Sequence, residues 1–121
     1  VKKTVIIGAT NNKARYAYRA AEMLAEYNIE FVPVGIKSGE VIGKPILDLR
    51  KLPVVEDVDT VTLYINATHQ PMWYNYILSL TPRRVIFNPG TENETFELML
   101  EENHVEAVEA CTLVLLRSGQ F

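Results

Sequence analysis

The chain predicts an α/β fold of three layers, with helices on both faces of a sheet of about five mostly parallel strands. Three observations carry that prediction. Short β-branched runs alternate with segments of helical periodicity from one end to the other. The runs are continuous rather than alternating in polarity, as in strands covered on both faces. Glycine, asparagine and proline fall between the runs, where turns are needed.

Residues 3–8 read as a central strand, because Val5-Ile6-Ile7 is unbroken and apolar. A tight turn, Gly8-Ala9-Thr10, follows, and Asn11 or Asn12 is placed to cap a helix. Ala14, Ala17 or Tyr18, Ala21 and Leu24 repeat at helical spacing, so this helix is expected to run to about Tyr27 and end near Asn28. Its alanines allow close approach to the sheet. Residues 29–35 form a second strand that stops near Pro33, which cannot donate to a ladder. A loop over 37–45 leads to Ile46-Leu47 and a short turn or helix around 48–52.

The third strand is expected at 60–65. Pro71 suits a first helical turn, with Met72, Ile77 and Leu80 as the inner face and Pro82 as the stop. Arg83-Arg84 precede a fourth strand at 85–87, which ends at Asn88-Pro89-Gly90. Thr91 and Glu94 have the form of a capping box opening a helix to about Asn103. A fifth strand is expected at 105–108, and the apolar segment 112–116 is equally readable as helix or strand. No repeat or linker divides residues 1–121, so a single Rossmann-like domain is expected.

Composition narrows the function. The 121 residues are 48% hydrophobic and 22% charged, ordinary for a globular chain with a core. No apolar run reaches the roughly 20 residues of a membrane helix. A single cysteine, Cys111, excludes an internal disulfide framework, and a cytoplasmic setting is the simplest expectation. The net charge of −3 argues against broad nucleic-acid binding. The charge is unevenly spread, however. Lys2, Lys3, Lys13, Arg15 and Arg19 all precede the first acid, Glu22, while 7 of the 15 acids lie between Glu92 and Glu109.

Ligands of parallel sheets bind beyond the carboxyl ends of the strands. Lys2 and Lys3 lie at the other end, so Lys13, Arg15 and Arg19 are the cations within reach. A strand-to-helix turn offers backbone amides and the positive end of a helix dipole, which together suit a phosphate. The three-glycine dinucleotide fingerprint is absent, and Pro33-Val34-Gly35 stands where a ribose-binding acid belongs. No Gly-Lys-Ser/Thr is present either. These absences weaken NAD and ATP as ligands.

Gly8-Ala9-Thr10 followed by Arg15-Tyr16-Ala17-Tyr18-Arg19-Ala20 resembles the "GAS…RYSYRA" signature of small stand-alone coenzyme A-binding proteins. These are similar to the CoA-binding domain of the succinyl-CoA synthetase α subunit. The resemblance continues at Val32-Pro33-Val34, at 40–45, at Asp59-Thr60-Val61, at 88–94 and at 109–114. It implies that Gly8, Ala9, Thr10 and Asn11 meet the phosphates of CoA or an acyl-CoA, with Lys13 among the nearby cations. Arg15 and Tyr16 would flank the 3′-phosphorylated nucleotide, and Val34, Gly35 and Lys37 would border the adenine. Three departures stand out: Thr10 replaces the signature serine, Asn12-Lys13 replaces the usual proline, and residues 64–68 lack the arginines common in relatives.

The remaining chemistry-bearing residues have plainer readings. His69 reads as a capping or exposed histidine and His104 as a helix C-terminal cation. Neither has companions at ligand spacing, so no metal site is expected. Cys111 is a small buried hydrophobe by default, and Trp73 with Tyr74 is either helix core or a homodimer patch. No nucleophile–base pair is visible, so no catalytic residue is assigned. The alternatives are a small NAD(P)-dependent or nucleotide-modifying enzyme using His69, and an interaction module with a vestigial nucleotide site.

Overall fold

A computed structural model describes residues 2–121. Its centre is a sheet of six strands: β1 (Lys3–Ile7), β2 (Phe31–Gly35), β5 (Leu47–Asp48), β6 (Val58–Leu63), β7 (Arg84–Phe87) and β8 (Glu106–Glu109). Their spatial order is β5-β2-β1-β6-β7-β8, and every neighbouring pair is parallel. A separate antiparallel ribbon of β3 (Glu40–Val41) and β4 (Lys44–Pro45) lies within the loop after β2.

Parallel neighbours require crossovers, and four helices supply or follow them: α1 (Tyr16–Glu26), α2 (Tyr74–Ser79), α3 (Glu94–Glu102) and α4 (Thr112–Arg117). The alternation of β1 side chains shows how the layers form. Ile6 faces a cluster with Ala17, Ala20, Ala21 and Leu24 of α1 and Leu113 and Leu116 of α4. Val5 and Ile7 face the other cluster, with Ile77 and Leu80 beside Phe96 and Leu100 of α3. The sheet is therefore buried on both sides, as its continuous apolar runs predict.

Several local expectations are corrected. The first helix begins at Tyr16, so the turn after β1 is a longer loop than Asn11 or Asn12 capping would give. Pro71 opens a single 3-10 turn over Pro71–Trp73, and α2 starts only at Tyr74. Met72, expected inside, is 71% exposed. The cap of α3 is Asn93 rather than Thr91: its Oδ1 accepts from Phe96 N at 3.1 Å, while Glu97 accepts from Asn93 N at 3.1 Å. Thr91 turns inward instead and donates to the Asn88 carbonyl. Strand β5 adds an edge to the five expected strands, and residues 112–117 resolve as helix.

Candidate nucleotide site at the carboxyl edge

Strand β1 sits where the chain reverses its direction of travel across the sheet, with β2 on one side and β6 on the other. That is the switch point at which the carboxyl edge opens into a crevice. The turn after β1 is wedged there by backbone contacts. Gly8 has φ +98°, and a Cβ on it would lie 3.0 Å from the Tyr64 carbonyl carbon at the end of β6. Gly35, at the end of β2, approaches even closer: a Cβ there would meet the Ala9 carbonyl oxygen at 2.6 Å. Only glycine permits either approach.

The hydrogen bonds sort the turn into anchored and free parts. Gly8 and Ala9 both donate their N–H to the Val34 carbonyl, at 2.9 and 3.0 Å. These two amides, expected to face phosphate, are already engaged. Val34 itself is fully buried, so its side chain belongs to the core. Further along, Thr10 Oγ1 accepts from Asn12 N and Asn12 Oδ1 accepts from Ala14 N, both local turns. Among the described residues, the N–H groups of Thr10, Asn11 and Lys13 donate to no acceptor. The unengaged donors of the turn therefore lie two to five residues beyond Gly8, half-buried at Thr10 and exposed at Asn11 and Lys13.

Arg15 occupies the N-cap of α1 in extended backbone, and no side chain caps the helix. The first amides of α1 thus stay open to an anion. Arg15 makes no ion pair among the described residues, whereas Arg19 pairs with Glu22 at 3.4 Å and Glu26 at 3.6 Å. Arg19 is spent on the helix surface and Arg15 is not. Tyr16 stands 77% exposed beside it, while Tyr18 is the member of the pair that enters the core. Lys13 is exposed on the same loop, and Lys37 is exposed on the loop after β2. The two loops touch, because a Cβ on Gly39 would meet Asn11 Nδ2 at 2.6 Å. Of the predicted residues, Asn11, Lys13, Arg15, Tyr16 and Lys37 are exposed along this rim, Gly8 and Thr10 are half-buried at its base, and Ala9, Val34 and Gly35 form its buried footing.

The sequence reading missed two features of this edge. Asp48, on β5, stands in register with Gly35, close to where a ribose-binding acid would be. Its carboxylate already accepts from Arg50 Nε at 3.0 Å, which holds its pKa below the usual carboxylate range. The second is a buried polar network under the rim. Thr62 and Thr112 share a 2.7 Å hydrogen bond, and Asn88 donates to Thr62 while accepting from Thr112 N. The Tyr64 hydroxyl is buried close by without a hydrogen-bond partner, and burial pushes its pKa up to about 12. A strand residue followed by Asn-Pro-Gly gives no hint of such a network, which requires β6, the end of β7 and the start of α4 to come together. His69 is exposed in a 3-10 turn, its N–H donating to Asn66 Oδ1. Cys111 is the half-buried N-cap residue of α4.

Comparison with known proteins bears on this edge as a whole. No curated protein matches the chain. A solved structure described only as an uncharacterized protein is 60% identical, with a TM-score of 0.96 over 100% of this chain and 98% of that one. A protein from Thermus thermophilus superposes with a TM-score of 0.83 at 22% identity, covering 99% of this chain and 90% of that one. A conserved hypothetical protein from Pyrococcus furiosus gives a TM-score of 0.79 at 25% identity, covering 94% and 98%. The family model described as a CoA binding domain matches residues 2–117. The chain belongs to that CoA-binding domain family.

Proposed function

We propose that this protein binds coenzyme A or an acyl-CoA at the carboxyl edge of β1 and β2, as a binding module without reaction chemistry of its own. The observation that carries the reading is the rim formed by residues 10–16, with amides and an arginine that have no partner among the described residues and an uncapped helix start together. CoA carries a diphosphate and a 3′-phosphate, so it calls for a helix N-terminus together with several cations.

In this reading the Thr10, Asn11 and Lys13 amides and the first turn of α1 take the diphosphate. Arg15 grips a phosphate oxygen pair in a way that a lysine, acting as a point charge, cannot. Tyr16 lies against the nucleotide, and Lys37 closes the site from the loop after β2. Gly8, Ala9, Val34 and Gly35 act by holding the rim in place and do not contact ligand through side chains. The acid at the edge, Asp48, is occupied by Arg50, which works against a ribose-binding role of the NAD type.

Native mass spectrometry of protein purified under gentle conditions tests the reading. A co-purifying mass equal to CoA or an acyl-CoA supports it and identifies the acyl group. A co-purifying NAD(P) or adenine mononucleotide contradicts it.

A further inference from the structure

A pocket of about 370 Å³ opens at the amino edge of the sheet, at the opposite end of the strands from the nucleotide turn. Its volume falls within the roughly 300–1,000 Å³ typical of small-molecule sites. Lys3 and Thr4 enter it from β1, Asp59 from β6 and Arg84 from β7.

Arg84 is the unusual member. It is only 7% exposed, and its Nε donates to Thr60 Oγ1 at 2.9 Å. Its guanidinium carbon lies 4.5 Å from the centre of the Phe121 ring. Among the described residues, the four N–H groups on its two Nη atoms have no acceptor and no carboxylate pairs with it. The two acids nearest it are already engaged by Arg83: Asp59 accepts from Arg83 Nε at 3.0 Å, from Arg83 Nη2 at 3.2 Å and from the Thr60 hydroxyl at 2.7 Å, and Glu106 pairs with Arg83 Nη1 at 3.7 Å. Burial pulls the Arg84 pKa below its ordinary value, yet an arginine keeps its charge at neutral pH. The carboxyl ends of α1 and α4 lie at this edge, and their dipoles with the Phe121 face offset part of that charge. Among the described residues, no helix carbonyl accepts a bond from Arg84, however.

Arg84 is largely buried, yet its Nη atoms are not closed off from solvent and open toward the pocket, where an anion can take the place of water. We infer that the amino-edge pocket binds a small organic anion, a phosphate monoester or carboxylate with an apolar body. Arg84 takes an oxygen pair through its two Nη atoms, and Lys2 and Lys3 add charge at the mouth. Ile29, Leu116 and Phe121 supply the apolar wall. This site is separate from the nucleotide rim and stands whether or not that rim binds CoA.

An NMR titration of the full chain at low ionic strength tests the inference, with phenyl phosphate as probe and inorganic phosphate and benzylamine as controls. Phenyl phosphate should give saturable shifts at Thr60, at the Arg84 Nε–H and at Phe121. Its affinity at these resonances should fall roughly tenfold or more in Arg84→Gln and stay unchanged in Arg15→Ala. If Arg84→Gln does not fold, the pocket-mouth variant Lys2→Gln/Lys3→Gln replaces it and should bind several-fold more weakly. Absence of saturable shifts at millimolar probe overturns the inference, as does wild-type affinity in the folded charge variants. Equal affinity for benzylamine or for inorganic phosphate overturns the assignment to an organic anion.

Discussion

Arg15 and Arg19 are four residues apart on adjacent turns, yet only Arg15 is free of acidic partners among the described residues. Replacing Arg15 by alanine should weaken CoA binding by roughly 1.5–3 kcal/mol, the contribution of hydrogen bonds to a charged group. Thermal stability should stay nearly unchanged, because the side chain is exposed and makes no ion pair among the described residues. Calorimetric titration and a melting curve on the same variant check both halves; a collapse in melting temperature would make Arg15 structural. Gly35 has the opposite character. Its missing Cβ makes room for the Ala9 carbonyl, so Gly35→Ala forces the first turn outward. That overpacking should cost roughly 1–3 kcal/mol in denaturant unfolding and weaken CoA binding as well. Unaltered unfolding and affinity would show that the turn does not depend on this approach. At this scale the sequence was informative about residue type and silent about partners. It named Arg15 and Gly35, but the engagement of the Gly8 and Ala9 amides by Val34 depends on β2 lying beside β1.

At the scale of elements, the start of α1 was misplaced for a local reason. Asn12 looks like a helix cap, and its side chain does cap a backbone amide, but that amide is Ala14 N in a turn before the helix. The periodic alanines mark the buried face without marking where the helix begins. Strand β5 has two residues, too few for any periodicity, and α4 has six, a length at which helix and strand patterns coincide. The link between β6 and β7 at the amino edge makes a pH-dependent prediction. Hydrogen bonding from Arg83 holds the Asp59 pKa below its ordinary value near 3.8. A depressed carboxylate pKa favours the folded state above the unfolded value, and that contribution is lost as pH falls through the folded value. Asp59→Asn should therefore lower stability at neutral pH and flatten its loss on acidification below about pH 4. Urea unfolding at a series of pH values reads this directly; parallel wild-type and variant profiles would contradict it. Glu97 works in the reverse sense, since burial and the Glu109 carboxyl raise its pKa. Its contribution improves as pH falls, so the Asp59 effect must be read as a difference between wild type and variant.

For the whole molecule, the alternation of apolar strand runs with helical segments was enough to imply a parallel sheet covered on both faces. Two apolar clusters, one on each side of β1, are the structural counterpart of that pattern. The carboxyl edge was legible as a location because parallel topology places every strand end there. The amino-edge pocket was not, because Lys2, Lys3 and Arg84 are far apart in sequence and converge only when β1, β6 and β7 align. The same convergence puts Lys2 and Lys3 at the opposite edge of the sheet from the turn after β1. No described helix is long and apolar enough to cross a membrane. Membership of the CoA-binding domain family, and a rim whose amides and Arg15 have no partner among the described residues, bear on one claim: the first strand-to-helix turn holds CoA. Isothermal titration of the purified protein with CoA, acetyl-CoA, NAD and NADP tests it most directly. Saturable one-site heat with CoA or acetyl-CoA, and none with NAD or NADP, is the predicted result. No heat with either CoA species at millimolar ligand, or tighter binding of NAD, would contradict it.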